Sequence, residues 1–201
     1  MIYIVDNHQQ YSITGWTPQI QRAINAITAE PCVMEHYTDA CLTRLEELGA
    51  KAVILGGSGD PWESCDLTTF AGEFDIIRKA PVPVLGICGG HQLIGFAYHV
   101  EVGGIGFTEE DYREIDIVED DPLFNGLKGR FVVRESHHDE VKSLPAEFVL
   151  LASNFNCRIQ AMRHVQRPVY GVQFHPEFFN QEHPDGRIIL ENFLRMERSE
   201  I

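Results

Sequence analysis

Cys88 is the residue whose type and setting point most strongly to chemistry. It lies in the segment GICGGHQ at 86–92, after an apolar run at 82–85 that predicts a buried strand and before apolar residues that predict a helix. A cysteine at such a junction, with a glycine two residues away on either side, is typical of a nucleophile elbow, where the chain turns sharply and exposes the side chain. The helix N-terminus would stabilise a thiolate there. The alternative is a tight turn with a buried, unreactive cysteine.

A histidine and a carboxylate that suit this nucleophile lie in the segment GVQFHPE at 171–177. Pro176 restricts His175 to an extended conformation, and in an extended chain residues two apart point to the same side. Glu177 would therefore orient the imidazole of His175 and stabilise its protonated form. In isolation the two residues also fit the exposed end of a surface strand. Together with Cys88 they complete the nucleophile, base and orienting acid that covalent hydrolysis requires.

Two further stretches are candidates for binding. The loop GGSGDP at 56–61 lacks the G-x-x-x-x-G-K-[ST] pattern of a phosphate-binding loop. It forms either a structural turn or, as we favour, an oxyanion hole together with the backbone N–H of Gly89. The stretch ESHHDEV at 135–141 invites a metal interpretation, but no second group has suitable ligand spacing. We therefore predict no metal ligands and a polar loop that faces the active site.

The order of the predicted elements indicates an α/β fold. A strand pattern followed by a helical pattern occurs four times, with the strands at 2–5, 32–37, 51–55 and 82–85. This alternation predicts a mostly parallel twisted sheet flanked by helices on both faces, with sites at the carboxyl ends of its strands. Thr17 before Pro18 predicts the N-cap of the first helix. In the second half, short alternating segments between Pro and Gly turns predict a smaller antiparallel sheet.

Length, charge and cysteine content restrict the class of protein. The 201 residues suit a single domain spanning 1–201. The formal net charge of -14 disfavours a nucleic-acid partner, because a phosphate backbone would be repelled. Five cysteines without a C-x-x-C pair suit a reducing compartment. Because no signal peptide is recognisable and no apolar run reaches membrane-spanning length, we predict a cytoplasmic protein that does not associate with membranes.

Three blocks of this sequence resemble, in order and across nearly the whole chain, the class I or triad glutamine amidotransferases: Gly56-Gly57, GICGGHQ at 86–92 and GVQFHPE at 171–177. The resemblance implies the flavodoxin-like fold of that family. It also implies that Cys88 attacks the side-chain amide of glutamine, that ammonia leaves, and that water hydrolyses the glutamyl thioester. In this reaction His175 would move the protons and Glu177 would orient His175.

By position, the resemblance also implies binding roles. The oxyanion hole would be formed by Gly57 and Gly89. The substrate-binding residues would be Gly56, Gln92, Ser136 and His137. Several positions depart from the family pattern. Ser58 stands where proline is usual, Gly89 stands where a bulkier residue is common, and the stretches at 60–64 and 7–16 also differ from the usual pattern.

Within this family, the chain resembles the separate amidotransferase subunit of two-chain GMP synthases at Val5-Asp6-Asn7, SHHDEV at 136–141 and QAMRH at 160–164. This implies a glutaminase that passes ammonia to a separate synthetase subunit, which converts XMP to GMP. It implies no cofactor in this chain, with ATP and Mg²⁺ used by the partner. The alternatives are a subunit of anthranilate or aminodeoxychorismate synthase, a stand-alone gamma-glutamyl hydrolase, and a non-enzymatic module that retains the fold.

Overall fold

The burial of the strands separates the sheet into a covered centre and a more exposed flank. In the computed structural model, which describes residues 1–9 and 16–196, four strands are buried at every position: β1 (Ile2–Asp6), β3 (Ala52–Leu55), β4 (Val84–Ile87) and β9 (Val169–Val172). Such continuous buried runs are typical of strands that helices cover on both faces. The other strands in these ranges are β2 (Cys32–His36), β5 (Val102–Ile117), β6 (Arg130–Val141), β7 (Phe148–Ser153) and β8 (Ala161–His164).

The α-helices in the described ranges are α1 (Thr17–Ile27), α2 (Leu42–Leu48), α3 (Ala71–Lys79), α4 (Gly89–Ala97) and α5 (Asp185–Met196). Their apolar faces belong to two clusters. Ile20 of α1 and Phe193 of α5 lie in one, whereas Ile76 of α3 and Leu93 of α4 lie in the other. Alternate residues of β1 divide between the two clusters, so the clusters occupy opposite faces of the sheet. The predicted α/β architecture with helices on both faces is confirmed. No helix in these ranges is long and apolar enough to cross a membrane.

The described strands form one mixed sheet in the order β2-β1-β3-β4-β9-β8-β7-β5-β6. Neighbours from β2 to β9 are parallel, and neighbours from β9 to β6 are antiparallel. The antiparallel strands predicted for the second half are present, but they are part of this one sheet, so the prediction of a smaller antiparallel sheet is not confirmed. One edge of β9 pairs with β4, and its other edge pairs with β8, which places Met162 opposite Gly171. The antiparallel strands thus continue the parallel sheet.

The stretch at 135–141 belongs to β6, so the predicted polar loop is wrong. Alternate residues of β6 point inward, and Glu135 and His137 continue the buried face that begins at Phe131. The antiparallel pairing places Glu109 of β5 directly opposite His137. Two acidic side chains and a histidine are therefore carried into the interior by the period of the strand.

The start of α1 also differs from the prediction. Trp16 precedes the first helical residue, so Thr17 is not the N-cap. The hydroxyl of Thr17 instead donates a hydrogen bond to Asp6 Oδ1 at 2.6 Å, at the carboxyl end of β1. This contact ties the helix to the edge of the sheet where sites in parallel sheets lie.

A close approach between α4 and β3 makes Gly90 a sensitive position for packing. A Cβ atom there would overlap the carbonyl oxygen of Leu55, a backbone atom that cannot rotate away. Gly90→Ala should lower the free energy of unfolding by about 1–3 kcal/mol, because overpacking forces the backbone to shift. Urea denaturation measures the loss. In the control Gly103→Ala, the new Cβ meets only Lys142 Cε at 3.7 Å, and the expected change is below about 0.5 kcal/mol. Equal stability of both variants would contradict this packing.

Candidate active site

The sharp turn predicted at Cys88 is present between β4 and α4. Cys88 has φ 50° and ψ -102°, a conformation that residues with a side chain rarely adopt. Its N–H donates to the carbonyl of Val172 on β9 at 2.8 Å, and its carbonyl accepts from the N–H of Gln92 at 3.0 Å. The residue is only 6% exposed and lines a cavity. The elbow therefore presents the thiol to a cavity, and the side chain is buried and not exposed as predicted.

His175 and Glu177 meet through a tight turn. His175 Nδ1 lies 2.8 Å from Glu177 Oε1, and both side chains are buried. Pro176–Phe178 form a 3-10 turn, and His175 has φ -107° and ψ 86°. The imidazole and the carboxylate are adjacent because the chain turns, so the prediction of an extended segment is wrong. The predicted proximity of His175 to Glu177 is nevertheless observed. The N–H of His175 donates to the Arg134 carbonyl at 2.8 Å, which anchors the pair to β6.

The surroundings of His175 favour its protonated form. Trp16 and Phe178 flank the imidazole, with ring centroids at 4.7 and 5.9 Å. This burial by itself would lower the pKa of His175, but Glu177 and a Cys88 thiolate raise the pKa well above its usual value. Because Nδ1 contacts Glu177, Nε2 is the nitrogen left to exchange a proton. An imidazolium beside a cysteine is an arrangement that activates a thiolate nucleophile.

The glycine-rich loop lies directly against the elbow. A Cβ atom built on Gly57 would stand 3.5 Å from His175 Cε1 and 3.7 Å from Cys88 Cβ. A Cβ atom built on Gly89 would stand 3.1 Å from the carbonyl carbon of Gly57. The two backbones are therefore neighbours at the position of the thiol. Backbone N–H groups at such a position can stabilise an oxyanion.

Two of the positions that depart from the family pattern, Ser58 and Gly89, contact each other. A Cβ atom on Gly89 would lie 2.5 Å from the backbone nitrogen of Ser58, so a larger residue at 89 does not fit this loop position. Asn7 holds the loop from the other side, donating from Nδ2 to the Gly56 carbonyl at 2.9 Å. The missing side chain at Gly89 thus lets the loop approach the elbow closely.

Gln92 lies on α4 at the cavity wall, where the protein already engages its side-chain amide. Its Oε1 accepts a hydrogen bond from Trp62 Nε1. Its Nε2 donates to the Asp139 carbonyl at 2.7 Å and to Gln173 Oε1 at 3.2 Å. Gln92 therefore joins three segments of the wall and shapes the cavity through them.

Strand β6 forms another part of the wall. The carbonyl oxygen of Ser136 lies 3.8 Å from Cys88 Sγ. The next residue, His137, turns its imidazole toward Glu135 and Glu109, whose Oε2 atoms lie 3.1 and 3.5 Å from Nε2. Burial opposes a positive charge on His137, but the two carboxylates raise its pKa to about 10. The backbone of this segment thus faces the cavity while a charged cluster lies behind it.

Six predicted residues line one cavity: Gly57, Cys88, Gln92, Ser136, His137 and His175. Gly56, Gly89 and Glu177 are not part of that lining. Trp16 and Trp62 also line the cavity, and no sequence pattern indicated them because their segments lack a periodic pattern. Gln173 was not predicted either, although its Nε2 lies 3.7 Å from Cys88 Sγ. The sequence signal for Gln173 is its position two residues before His175, which can place both side chains on one side of the chain.

Comparison with known proteins relates this geometry to a family. The sequence profile of the family described as glutamine amidotransferase class-I matches residues 3–196. The chain belongs to the class I glutamine amidotransferase family. Two relatives, from Methanothermobacter thermautotrophicus and Pyrococcus abyssi, are named as a subunit of GMP synthase (glutamine-hydrolyzing). The first is 36% identical over 199 residues, covering 99% of both chains, and the second is 37% identical over 196 residues, covering 98% of both.

A solved structure supports the same family at the level of the fold. It is a candidate GMP synthase subunit from Thermoplasma acidophilum, with a TM-score of 0.82 and 29% identity. The match covers 98% of this chain and 93% of that chain. This class I amidotransferase therefore has the α/β fold of its family, and it is an enzyme of the glutamine-hydrolysing class.

The charge of Glu177 should determine the alkaline limit of activity. Glu177→Gln removes a negative charge 2.8 Å from the imidazole of His175, so the pKa of His175 falls. His175 then loses its proton at a lower pH. The decrease of kcat/KM for glutamine on the alkaline side of the pH–rate profile should therefore begin at a lower pH than in the wild type. A pH–rate profile measures the shift. The exposed Glu182→Gln serves as control, and an unchanged alkaline decrease in Glu177→Gln would refute the assigned role.

The contact between Gly89 and the glycine loop predicts a second activity effect. In Gly89→Ala the new Cβ pushes Ser58 and its loop away from the elbow. Because the oxyanion donors are then misplaced, kcat for glutamine hydrolysis should fall by about 100-fold with a smaller change in KM. In the control Gly59→Ala, the Cβ meets only the His8 imidazole at 3.8 Å. Equal kcat values for the two variants would show that the loop contributes no donor.

Proposed function

We propose that this chain is the glutaminase subunit of a two-chain GMP synthase. It hydrolyses glutamine to glutamate and ammonia, and a separate ATP-dependent subunit uses the ammonia to convert XMP to GMP. The observation that carries this proposal is the elbow at Cys88, which lines one cavity together with His175 of the buried His175–Glu177 pair. The relatives named as a GMP synthase subunit support it, because they match this chain over almost the full length of both.

The first half of the reaction forms a thioester. The thiolate of Cys88 attacks the side-chain amide carbon of glutamine, and the resulting oxyanion is held by the backbone N–H groups of Gly57 and Gly89. His175 then donates its Nε2 proton to the amide nitrogen, so that the C–N bond breaks and neutral ammonia leaves. The Glu177 carboxylate holds Nδ1–H throughout and keeps the ring in this orientation.

The second half of the reaction restores the enzyme. Neutral His175 now accepts a proton from water, and the hydroxide formed in this step attacks the thioester carbon. The oxyanion forms again between Gly57 and Gly89, and the C–S bond breaks to release the γ-carboxylic acid, which loses its proton to solvent and becomes glutamate. The proton taken from water stays on His175, so the imidazolium and the Cys88 thiolate are regenerated. One glutamine and one water thus yield one glutamate and one ammonia.

Substrate binding uses the backbone of the cavity wall. The backbone at Ser136 and His137, next to the Cys88 thiol, meets the amino-acid end of glutamine. Gly56 helps to bind the substrate by fixing the glycine-rich loop, since its carbonyl accepts a hydrogen bond from Asn7. Gln92 helps to hold the substrate indirectly, because its amide is already bonded to Trp62 and Asp139 and fixes the position of those segments.

The same proposal covers partner, cofactors and location. Glutamine hydrolysis by this triad uses no cofactor, and ATP and Mg²⁺ belong to the synthetase subunit. The relatives carry the name of one subunit of a larger enzyme, which supports a separate partner. The net charge of -14 supports the absence of a nucleic-acid partner. We place the complex in the cytoplasm, where its free cysteines stay reduced.

Reconstitution with an ATP-dependent GMP synthase subunit tests the proposal. With ATP, Mg²⁺ and XMP present, the wild-type chain should hydrolyse glutamine much faster than alone and should support GMP formation. Cys88→Ala should lower glutamine-dependent GMP formation by about 10⁴-fold or more. Its complex should still form GMP from added ammonium, because only the source of ammonia is lost.

Two results would refute the proposal. Glutamine hydrolysis that survives Cys88→Ala would exclude Cys88 as the nucleophile. Rapid hydrolysis by the wild-type chain that is indifferent to the synthetase, ATP and XMP would indicate a stand-alone hydrolase. Cys41→Ala, at an exposed cysteine outside the cavity lining, is the matched control and should behave as wild type.

A further inference from the structure

A second cluster of ligand-forming side chains lies behind the cavity wall, apart from the proposed catalytic residues. It consists of Glu109 on β5 and of Glu135 and His137 on β6, which are 3%, 0% and 4% exposed. Strand pairing places Glu109 opposite His137, and the two-residue period puts Glu135 on the same face. One ligand atom from each residue lies within 4.8 Å of the other two.

The outer atoms of the three side chains are held by neighbours. Gln160 Nε2 donates to Glu135 Oε1 at 2.6 Å, and Asn156 Nδ2 donates to Glu109 Oε1 at 2.9 Å. His137 Nδ1 lies 3.1 Å from the Asp139 carbonyl, which accepts its proton and leaves the lone pair on Nε2. Ligating histidines and carboxylates are usually oriented by such partners.

The inner atoms are spaced as metal ligands are. His137 Nε2 lies 3.1 Å from Glu135 Oε2 and 3.5 Å from Glu109 Oε2. Within the described part of the chain, none of these three atoms makes a hydrogen bond of acceptable geometry. Two ligands that are each about 2.1 Å from one ion stand about 3.0 Å apart in octahedral and about 3.4 Å apart in tetrahedral coordination. The two measured spacings agree with this range.

The charge of the cluster also suits a dication. Two buried carboxylates are costly unless they are paired or coordinate a metal. Arg113 approaches Glu109 Oε1 only to 3.9 Å and is 46% exposed, so it neutralises that group weakly. A protonated His137 would offset one carboxylate. A divalent cation held by neutral His137 offsets both.

We propose that Glu109, Glu135 and His137 bind one divalent transition-metal ion of the Zn²⁺ type. One imidazole and two carboxylates favour such an ion over Mg²⁺ and Ca²⁺, which prefer all-oxygen sites. No sequence pattern indicated these three ligands together, because Glu109 joins the other two residues only through the pairing of β5 with β6. The site does not depend on the proposed glutamine chemistry.

The ion has a positioning role. The pairing of β5 with β6 shifts register between Gly104 and Glu109. A metal ion bound to Glu109, Glu135 and His137 would hold the two strands together immediately after that irregularity. The same ion holds His137, and with it the neighbouring Ser136 carbonyl that lies 3.8 Å from Cys88 Sγ.

Zn²⁺ content and Tm of the whole chain test the site. The chain is stripped with a chelator and dialysed against limiting Zn²⁺, and we expect one Zn²⁺ per chain and a Tm that rises with free Zn²⁺.

Glu135→Gln keeps the shape of the side chain but removes a metal ligand, and it should weaken Zn²⁺ binding by about 100-fold or more. Glu110→Gln, at a glutamate on β5 with a 62% exposed side chain, should bind Zn²⁺ as wild type does. If Glu135→Gln does not fold by circular dichroism, Glu109→Gln supplies the same comparison.

Co²⁺ in place of Zn²⁺ separates this site from cysteine ligation. Nitrogen and oxygen ligands give weak d–d bands without the intense thiolate charge-transfer band in the near ultraviolet. Such a band would place the ion on a cysteine and would overturn the proposal. Failure to retain one Zn²⁺ per chain, or equal Zn²⁺ binding by wild type and Glu135→Gln, would overturn it in favour of a protonated His137 ion pair. Metal binding is the readout, so these outcomes leave the test of glutamine hydrolysis unaffected.

Discussion

The backbone turn at Cys88 is the constraint on which the rest of the site depends. A residue with a side chain at φ 50° stores roughly 1–3 kcal/mol of strain and persists only where its surroundings hold it. The hydrogen bond from its N–H to Val172 provides one restraint, and the start of α4 provides another. Because Val172 belongs to β9, the strand that leads into His175, the same contact brings the candidate nucleophile and the candidate base to one end of the sheet.

The mixed sheet explains how distant segments form one cavity. The parallel half carries Cys88 and the glycine loop at the carboxyl ends of its strands, as open α/β sheets usually do. The antiparallel half then extends the sheet until β6 lies beside the elbow, where the Arg134 carbonyl anchors His175 and the Ser136 carbonyl approaches the thiol. A separate antiparallel sheet would lack this continuous connection from β4 through β9 and β8.

The buried histidines His91, His137 and His175 illustrate how the surroundings decide protonation. Burial, together with positive charge at His137, lowers the pKa of His91 to about 3, so that His91 is neutral. His137 and His175 are also buried, but adjacent carboxylates raise the pKa of each. The surroundings therefore keep His91 uncharged, favour the charged form of His175, and favour a charged His137 only while no metal ion occupies its carboxylate cluster.

The sequence by itself determined the elements and the local motifs. Apolar runs of strand length, the strand-to-helix junction at Cys88 and the adjacency of His175 and Glu177 depend on neighbouring residues, so they can be recognised before folding is known. Tertiary structure decided which segments meet. The approach of Trp62 to Gln92, the contact between Gly89 and Ser58, and the pairing of Glu109 with His137 join residues that are distant in the chain. Strand register and close packing create these contacts, and no local pattern encodes them.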